Sequence, residues 1–419
     1  KNLRWRLQSA PPYILLKDHQ VNREQIIKEA DRCVKCAICL PHCPTYRLTR
    51  DEGDSPRGRI ALIQALAGAE VDSSRLQRHL DRCLCCRSCE DACPSGVRYG
   101  NLIDAARSLY VNEAGRLETL QKKLVTETPY KLWSRRLLHL YLASGVRSLV
   151  RAIGGARWRR LDDMLPSQIT VAAPSPSYPA QGQQQGHVAL FTGCAGRLIE
   201  NEALSSAIRL LTSCGYEVII PEDQRCCGAM HQHNGDPTSA RRMGENNLQA
   251  FNHPQVDAIL YLASGCGSQL ESYREQKQLF NAPLVEISQF LLERGLNDFK
   301  LRPLNKSLAL HTPCSLRNVL HGEDAPRQLL EKIPGLTILP LGDAGDCCGA
   351  AGSYLLNQPK MADRLREKSL RELELLKPEF LATSNTGCSM HLAAGIRQAS
   401  LEIEVLHPVQ LIERQITQP

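Results

Sequence analysis

Two runs of cysteine carry the chemistry of this chain: Cys33-x2-Cys36-x2-Cys39-x3-Cys43-Pro44 and Cys83-x2-Cys86-x2-Cys89-x3-Cys93-Pro94, fifty residues apart. Thiolates at i, i+3 and i+6 wrap one turn of backbone around three corners of a [4Fe–4S] cubane. The fourth cysteine of such a run ligates the neighbouring cluster. The spacing therefore predicts one cluster on Cys33, Cys36, Cys39 and Cys93, and a second on Cys83, Cys86, Cys89 and Cys43. Zinc is the weaker reading, because its sites are usually built from separated C-x2-C pairs. Two adjacent cubanes move single electrons. Cys85 lies inside the second run but off its register, and is expected to be a packed thiol.

A second set of cysteines recurs in the C-terminal half. Cys194, Cys226, Cys227 and Cys266 are matched by Cys314, Cys347, Cys348 and Cys388, at offsets of 120, 121, 121 and 122 residues. Each set places one thiol after an apolar strand-like run, two in a Cys-Cys-Gly loop, and one after another strand-like run. Ligands collect at the C-terminal ends of strands in open α/β sheets, so four thiols can meet at one spot in each copy. The alternative is a set of buried or redox-active thiols. The coincidence of four cysteines in both copies favours metal in at least one repeat, a third cluster and in principle a fourth. His391 follows Cys388 by three residues where Gln269 follows Cys266, so the second repeat is expected to be the occupied one if only one is. Cys214 falls outside the pattern and is expected to pack.

The elements that must position these thiols are legible in outline. Residues 20–32 read as a helix. Ser55-Pro56 reads as an N-cap with proline at the first helical position, followed by apolar residues at helical spacing. Arg57 and Arg59 oppose the dipole of that helix, and face either a cluster or partner or the solvent. A further helix near Ser73–Asp81 leads into the second motif. Residues 99–164 read as helical, with Arg135, Arg136, Arg147, Arg151, Arg157, Arg159 and Arg160 interleaved with leucines and valines. Such a pattern lies on an anionic bilayer or packs on its neighbours with the arginines in water; the packed helix is the expectation. Pro166–Gly186 has the composition of a linker. The predicted organisation is an α-helical ferredoxin-like domain over 1–110, an Arg-rich helical connector and linker over 111–186, and duplicated α/β subdomains with parallel sheets over 187–303 and 304–419. The fold class is α+β overall.

At 419 residues, two or three domains are expected. Eighteen cysteines in clustered pairs argue for metal ligation in a reducing compartment rather than disulfides. The start, Lys1–Gln8, is basic and polar, so no secretory leader is expected. No run of about eighteen apolar residues reads as a membrane span. A net charge of +7 with only 5% aromatic residues gives no nucleic-acid pattern. No G-x-G-x-x-G follows a strand, so neither a flavin nor a nicotinamide site is expected.

Together, the doubled cubane motif, the Asp54-Ser-Pro-Arg-Gly-Arg-Ile60 segment and the duplicated Cys-Cys-Gly loops resemble the iron–sulfur subunit family of bacterial glycolate oxidase. Subunits of D-lactate and anaerobic glycerol-3-phosphate dehydrogenase complexes, and heterodisulfide reductase, share the plan. The resemblance implies an electron-transfer subunit with no catalytic residues of its own. A partner subunit would carry FAD and oxidise glycolate to glyoxylate, and electrons would leave towards a membrane quinone or similar acceptor. It also implies a cytoplasmic protein, peripheral on the inner face of the cytoplasmic membrane. Heterodisulfide reductase repeats end in C-x2-C. Here the last cysteine is replaced by Gln269 and His391, which argues against disulfide cleavage of that type, although a thiol–disulfide reductase stays the alternative.

Overall fold

The computed structural model describes residues 22–417 apart from 71, 111–125, 128–131, 167–168, 170–173, 253–254, 276–279, 297–298 and 344–345. The N-terminal region is all helix: α1 (Arg23–Ala30), α2 (Pro44–Thr49), α3 (Pro56–Ala67), α4 (Ser74–Asp81), α5 (Ser88–Asp91) and α6 (Tyr99–Ser108). Short polar side chains start three of these helices. Asn22 accepts from Gln25 N at 3.2 Å, Ser55 from Gly58 N at 2.9 Å and Ser73 from Leu76 N at 3.2 Å. Ile26, Ile63, Leu80, Leu102 and Ile103 close a fully buried core between α1, α3, α4 and α6. The two cysteine loops hang from this frame.

Among the described residues that follow are the connector helices α7 (Leu132–Ala143), α8 (Val146–Ile153) and α9 (Ala156–Asp163). Their arginines are not simply in water. Arg147 and Arg151 both reach the buried Asp162, at 3.0 and 2.5 Å, so part of the basic face turns inward.

The C-terminal half holds two sheets of the same order. In the first, β1 (Ser177–Tyr178), β2 (Gly186–Phe191), β3 (Tyr216–Ile219), β4 (Ala258–Tyr261) and β5 (Leu284–Glu286) are arranged β1-β3-β2-β4-β5. In the second, β6 (Ser307–His311), β7 (Thr337–Leu341), β8 (Phe380–Thr383) and β9 (Glu404–Leu406) are arranged β7-β6-β8-β9. Among the described strands, all pairings within the two sheets are parallel except β1 with β3. The linker-like stretch thus contributes an antiparallel edge strand, the sheet position that its flanking prolines tolerate.

Helices cover the strands: α10 (Cys194–Ile199), α11 (Asn201–Ser213), α12 (Ala229–His233), α13 (Pro237–Asn252), α14 (Ser264–Glu275) and α15 (Ile287–Phe290) in the first copy. The second has α16 (Cys314–Asn318), α17 (Asp324–Glu331), α18 (Tyr354–Asn357), α19 (Pro359–Leu376), α20 (Thr386–Gln398) and α21 (Pro408–Gln415). Leu210 and Leu211 of α11 share one apolar core with Leu329 and Leu330 of α17 and Leu411 and Ile412 of α21. Burial of each such side chain contributes about 1.5–3 kcal/mol. The two repeats are therefore packed together through a common interior.

Candidate metal centres

The two ferredoxin-type loops fold alike down to the backbone. Lys35 and Ala37 in the first, and Cys85 and Arg87 in the second, have φ of 57°, 71°, 51° and 58°. These are equivalent positions, two and four residues after the first cysteine of each motif. Left-handed backbone at non-glycine residues costs roughly 1–2 kcal/mol each. It persists where the surroundings fix it, as around a bound group.

The loops close two neighbouring cavities. One is lined by Cys33, Cys36, Cys39 and Cys93, with Pro56, Arg57 and Ile60 of α3 as its wall. The other is lined by Cys43, Cys83, Cys86 and Cys89, with Arg59. Cys89, Pro56 and Tyr99 border both. Cys93 thus sits with the first motif and Cys43 with the second. All eighteen cysteines are free thiols. Burial pushes the Cys86 and Cys89 thiols well above their ordinary range, and Cys39 up to about 11. Thiols as dry as those of the second set become thiolates most readily with a cation among them, while Cys36 of the first set is exposed; a set of four per cavity fits a cubane.

Arg59 lies in the dry wall of the second cavity. Its Nη1 is 3.0 Å from Thr45 Oγ1 and 3.9 Å from Cys43 Sγ, its Nε donates to His79 O at 2.7 Å, and its Nη2 faces Asp54 at 3.4 Å. Asp54, fully buried, also meets His79 and Arg82 at 3.0 Å. The Asp54–Ile60 segment therefore places a paired cation against the thiols. Arg57, half-buried, pairs with Glu52 at 2.6 Å.

Both sets of Cys-Cys-Gly cysteines open onto a single cavity of about 950 Å³ between the repeats and the helical domain. Cys194 and Cys314 begin α10 and α16, and Cys266 and Cys388 lie in the first turns of α14 and α20. Gly228 and Gly349 take φ of 84° and 80°, and press against Ala240 of α13 and Ala362 of α19. Cys194 and Cys226 have sulfurs 3.5 Å apart, Cys348 and Cys388 2.8 Å. The turns that carry the last thiol of each set touch: Ser264 N donates to Ser384 O at 2.8 Å, and Gly265 N to Asn385 Oδ1 at 2.9 Å.

One histidine was not anticipated. His311, at the end of β6, groups with Cys348 and Cys388 and pairs its Nδ1 with Thr383 Oγ1 at 2.9 Å. Its counterpart in the first repeat is Phe191, a contrast visible in the aligned repeats. His391 instead packs away from the cavity, with Nε2 3.3 Å from Ala362 O and Nδ1 beside Arg366. Burial first, and Arg366 second, lower its pKa to about 4. Gln269 is buried likewise.

The remaining two cysteines differ. Cys214 is buried in the shared core and pushed up to about 12 by that burial. Cys85 borders the large cavity and accepts from Arg107 Nη1 at 3.1 Å.

The second cubane loop abuts the second repeat. Asn318 Nδ2 donates to Cys86 O at 2.8 Å, and the Cys314 thiol is close enough to oppose ionisation of Cys86.

Residues 29–97 match the family of 4Fe-4S dicluster domains, and 188–271 and 308–393 each match the cysteine-rich CCG domain. The "Probable glycolate oxidase iron-sulfur subunit" of Bacillus subtilis (strain 168) is 30% identical, over 91% of this chain and 92% of its own length. The "Glycolate oxidase iron-sulfur subunit" of Escherichia coli (strain K12) is 31% identical over 91% and 93%. A fumarate reductase (CoM/CoB) subunit of Methanothermobacter marburgensis is 24% identical over 93% and 73%.

Proposed function

The chain belongs to the family of glycolate oxidase iron–sulfur subunits, and we propose how its thiols divide the work of an electron-transfer subunit. Cys33, Cys36, Cys39 and Cys93 hold one cubane; Cys83, Cys86, Cys89 and Cys43 hold the other. Cys314, Cys347, Cys348 and Cys388 hold a third cluster, with His311 against its thiols. Clusters of this kind supply one-electron carriage. The observation that carries the reading is the meeting of Cys86 with the Cys314 helix, which continues the two small cavities into the large one.

The protein's own residues seclude these sites. Tyr99 and Pro56 separate the two small cavities from each other, and Arg59 brings a desolvated positive charge to the second. A fixed cation favours the more negative, reduced state of whatever the thiolates hold. A partner subunit carrying FAD takes the hydride from glycolate, and a membrane quinone is the acceptor, with the complex at the inner face of the membrane. A donor other than glycolate, D-lactate or glycerol 3-phosphate, would change the partner and leave this chain's part as it is.

The size of the cavity gives a second reading some weight. Eight thiols around about 950 Å³ could also serve a small disulfide substrate. Iron and acid-labile sulfide per chain, after anaerobic purification, test the assignment. About twelve irons are expected, four for each cluster, and the isolated chain should not oxidise glycolate to a dye. About eight irons would remove the third cluster. Turnover of a disulfide by the chain alone would favour the second reading.

A further inference from the structure

The connector helices carry their amphipathicity inside out. In α8, Arg147 and Arg151, 22% and 47% exposed, converge on Asp162, which is 3% exposed and also accepts from Tyr141 Oη of α7 at 2.9 Å. Arg151 reaches Asp163 at 2.8 Å as well. The apolar side of the same helix faces outward, and none of its residues is buried. Leu149 is 57% and Ile153 76% exposed, and Leu137 and Leu140 of α7 are 57% and 62% exposed. A helix that packed on its own protein would bury these residues and solvate the arginines.

The outward residues form one concentration. Among the described residues, seven of the eleven exposed large apolar side chains lie between Trp133 and Trp158. An exposed apolar surface of this extent, on an otherwise well-packed protein, marks an interaction site. The charge around it points to the kind of partner. Across α7–α9 seven arginines face two carboxylates, Asp162 and Asp163, which Arg147 and Arg151 take up, and Arg136 and Arg159 stand exposed at the patch. Two of the chain's three tryptophans, Trp133 and Trp158, sit on it. Tryptophan prefers the headgroup level of a bilayer, and arginine beside it finds lipid phosphate.

The patch is anchored where electrons would leave. Arg160 of α9 donates to Leu355 O at 2.6 Å and pairs with Asp363 at 2.7 Å. Leu161 and Met164 insert into the apolar cluster that contains Cys347, Cys348 and Cys388. We propose that α7–α9 form a monotopic docking surface for an anionic bilayer. Leu137, Leu140, Leu149 and Ile153 enter the acyl boundary, and Arg136 and Arg159 engage phosphate headgroups. The surface rests on the electron-transfer reading only for its purpose, which is to bring the second repeat to a lipid-dissolved acceptor.

The test uses the full chain with its clusters and unilamellar vesicles of equal parts phosphatidylglycerol and phosphatidylcholine. Co-flotation is expected, weakened by salt and by omission of phosphatidylglycerol, with brominated acyl chains quenching tryptophan fluorescence. Leu149→Glu and Ile153→Glu should each weaken binding about tenfold, the loss expected for one buried aliphatic side chain. Arg136→Glu should lower the salt dependence. These positions are exposed, so iron content should stay at the parent value; it also reports separately on the cluster assignment. Absence of flotation, or flotation unchanged in both glutamate variants, overturns the proposal. So does loss of a co-purifying flavoprotein in those variants without any vesicle binding, because the patch would then be a subunit contact.

Discussion

His407 shows how much one buried side chain can decide. Its Nδ1 accepts from Val409 N at 3.3 Å, so the ring proton must lie on Nε2, which faces Leu262 O at 3.1 Å. The ring thus caps α21 and ties it to the end of β4 only while neutral. Burial lowers its pKa to about 4. An unfolded imidazole titrates near 6.5, so between those values the unfolded chain binds one proton that the folded chain does not. Stability is therefore full above pH 6.5 and falls as pH drops towards 4, by about 2 kcal/mol at pH 5. His407→Gln should remove that share of the pH dependence. Urea midpoints at pH 7 and pH 5 for parent and variant measure it, since His311 and His391, also lowered by burial, contribute equally to both. An unchanged difference between the two pH values would mean that the folded ring accepts a proton freely.

At the scale of elements, the Cys-Cys-Gly turn does what its sequence requires. A Cβ on Gly349 would lie 2.4 Å from Ala362 O at a φ of 80°, so no other residue lets the turn approach α19 this closely. Gly349→Ala should swing Cys347 and Cys348 away from Cys314 and Cys388, and remove about four irons per chain while the ferredoxin-type signals stay. Full iron in that variant would show the turn to be irrelevant to metal. The helix start at Ser55, the parallel sheets and the meeting of the Cys-Cys-Gly thiols near strand ends were legible because each rests on local spacing. Ser55 capping Gly58 is read from four residues. Three features were not legible, and each depends on a partner distant in sequence. His311 reaches Cys348 and Cys388 across β6 and β8. Ser177 and Tyr178 pair with β3 although their neighbours look like linker. The outward face of α8 follows from Asp162, which lies on another helix and captures both arginines. An apolar stripe has the same period whichever way it faces.

The whole molecule depends on a few buried joints between its helical domain and its repeats. Arg107 of α6 is the tightest. Its Nη2 donates to Leu80 O and Cys83 O at 2.7 and 2.8 Å, and its Nη1 to His233 O at 2.7 Å in the first repeat. The Asn318–Cys86 contact and an ion pair at 3.1 Å between Arg47 and Asp346 make the matching joint to the second repeat. The latter pair is partly exposed, so it contributes on the order of 1 kcal/mol or less. Arg107 is 6% exposed, and removing it strands three carbonyls that water reaches poorly, at about 3 kcal/mol or more. Because those carbonyls belong to both bodies, Arg107→Met should uncouple them as well as destabilise them. In the parent, loss of the cluster absorbance and loss of far-ultraviolet circular dichroism should coincide along a urea titration, as expected of one cooperative unit. In Arg107→Met the share of the absorbance owed to the two ferredoxin-type clusters, roughly two thirds of three cubanes, should bleach first, leaving the repeats and their cluster folded. If the two curves still coincide in the variant, the joint to the second repeat is enough to hold the molecule as one unit, and Arg107 is a local prop.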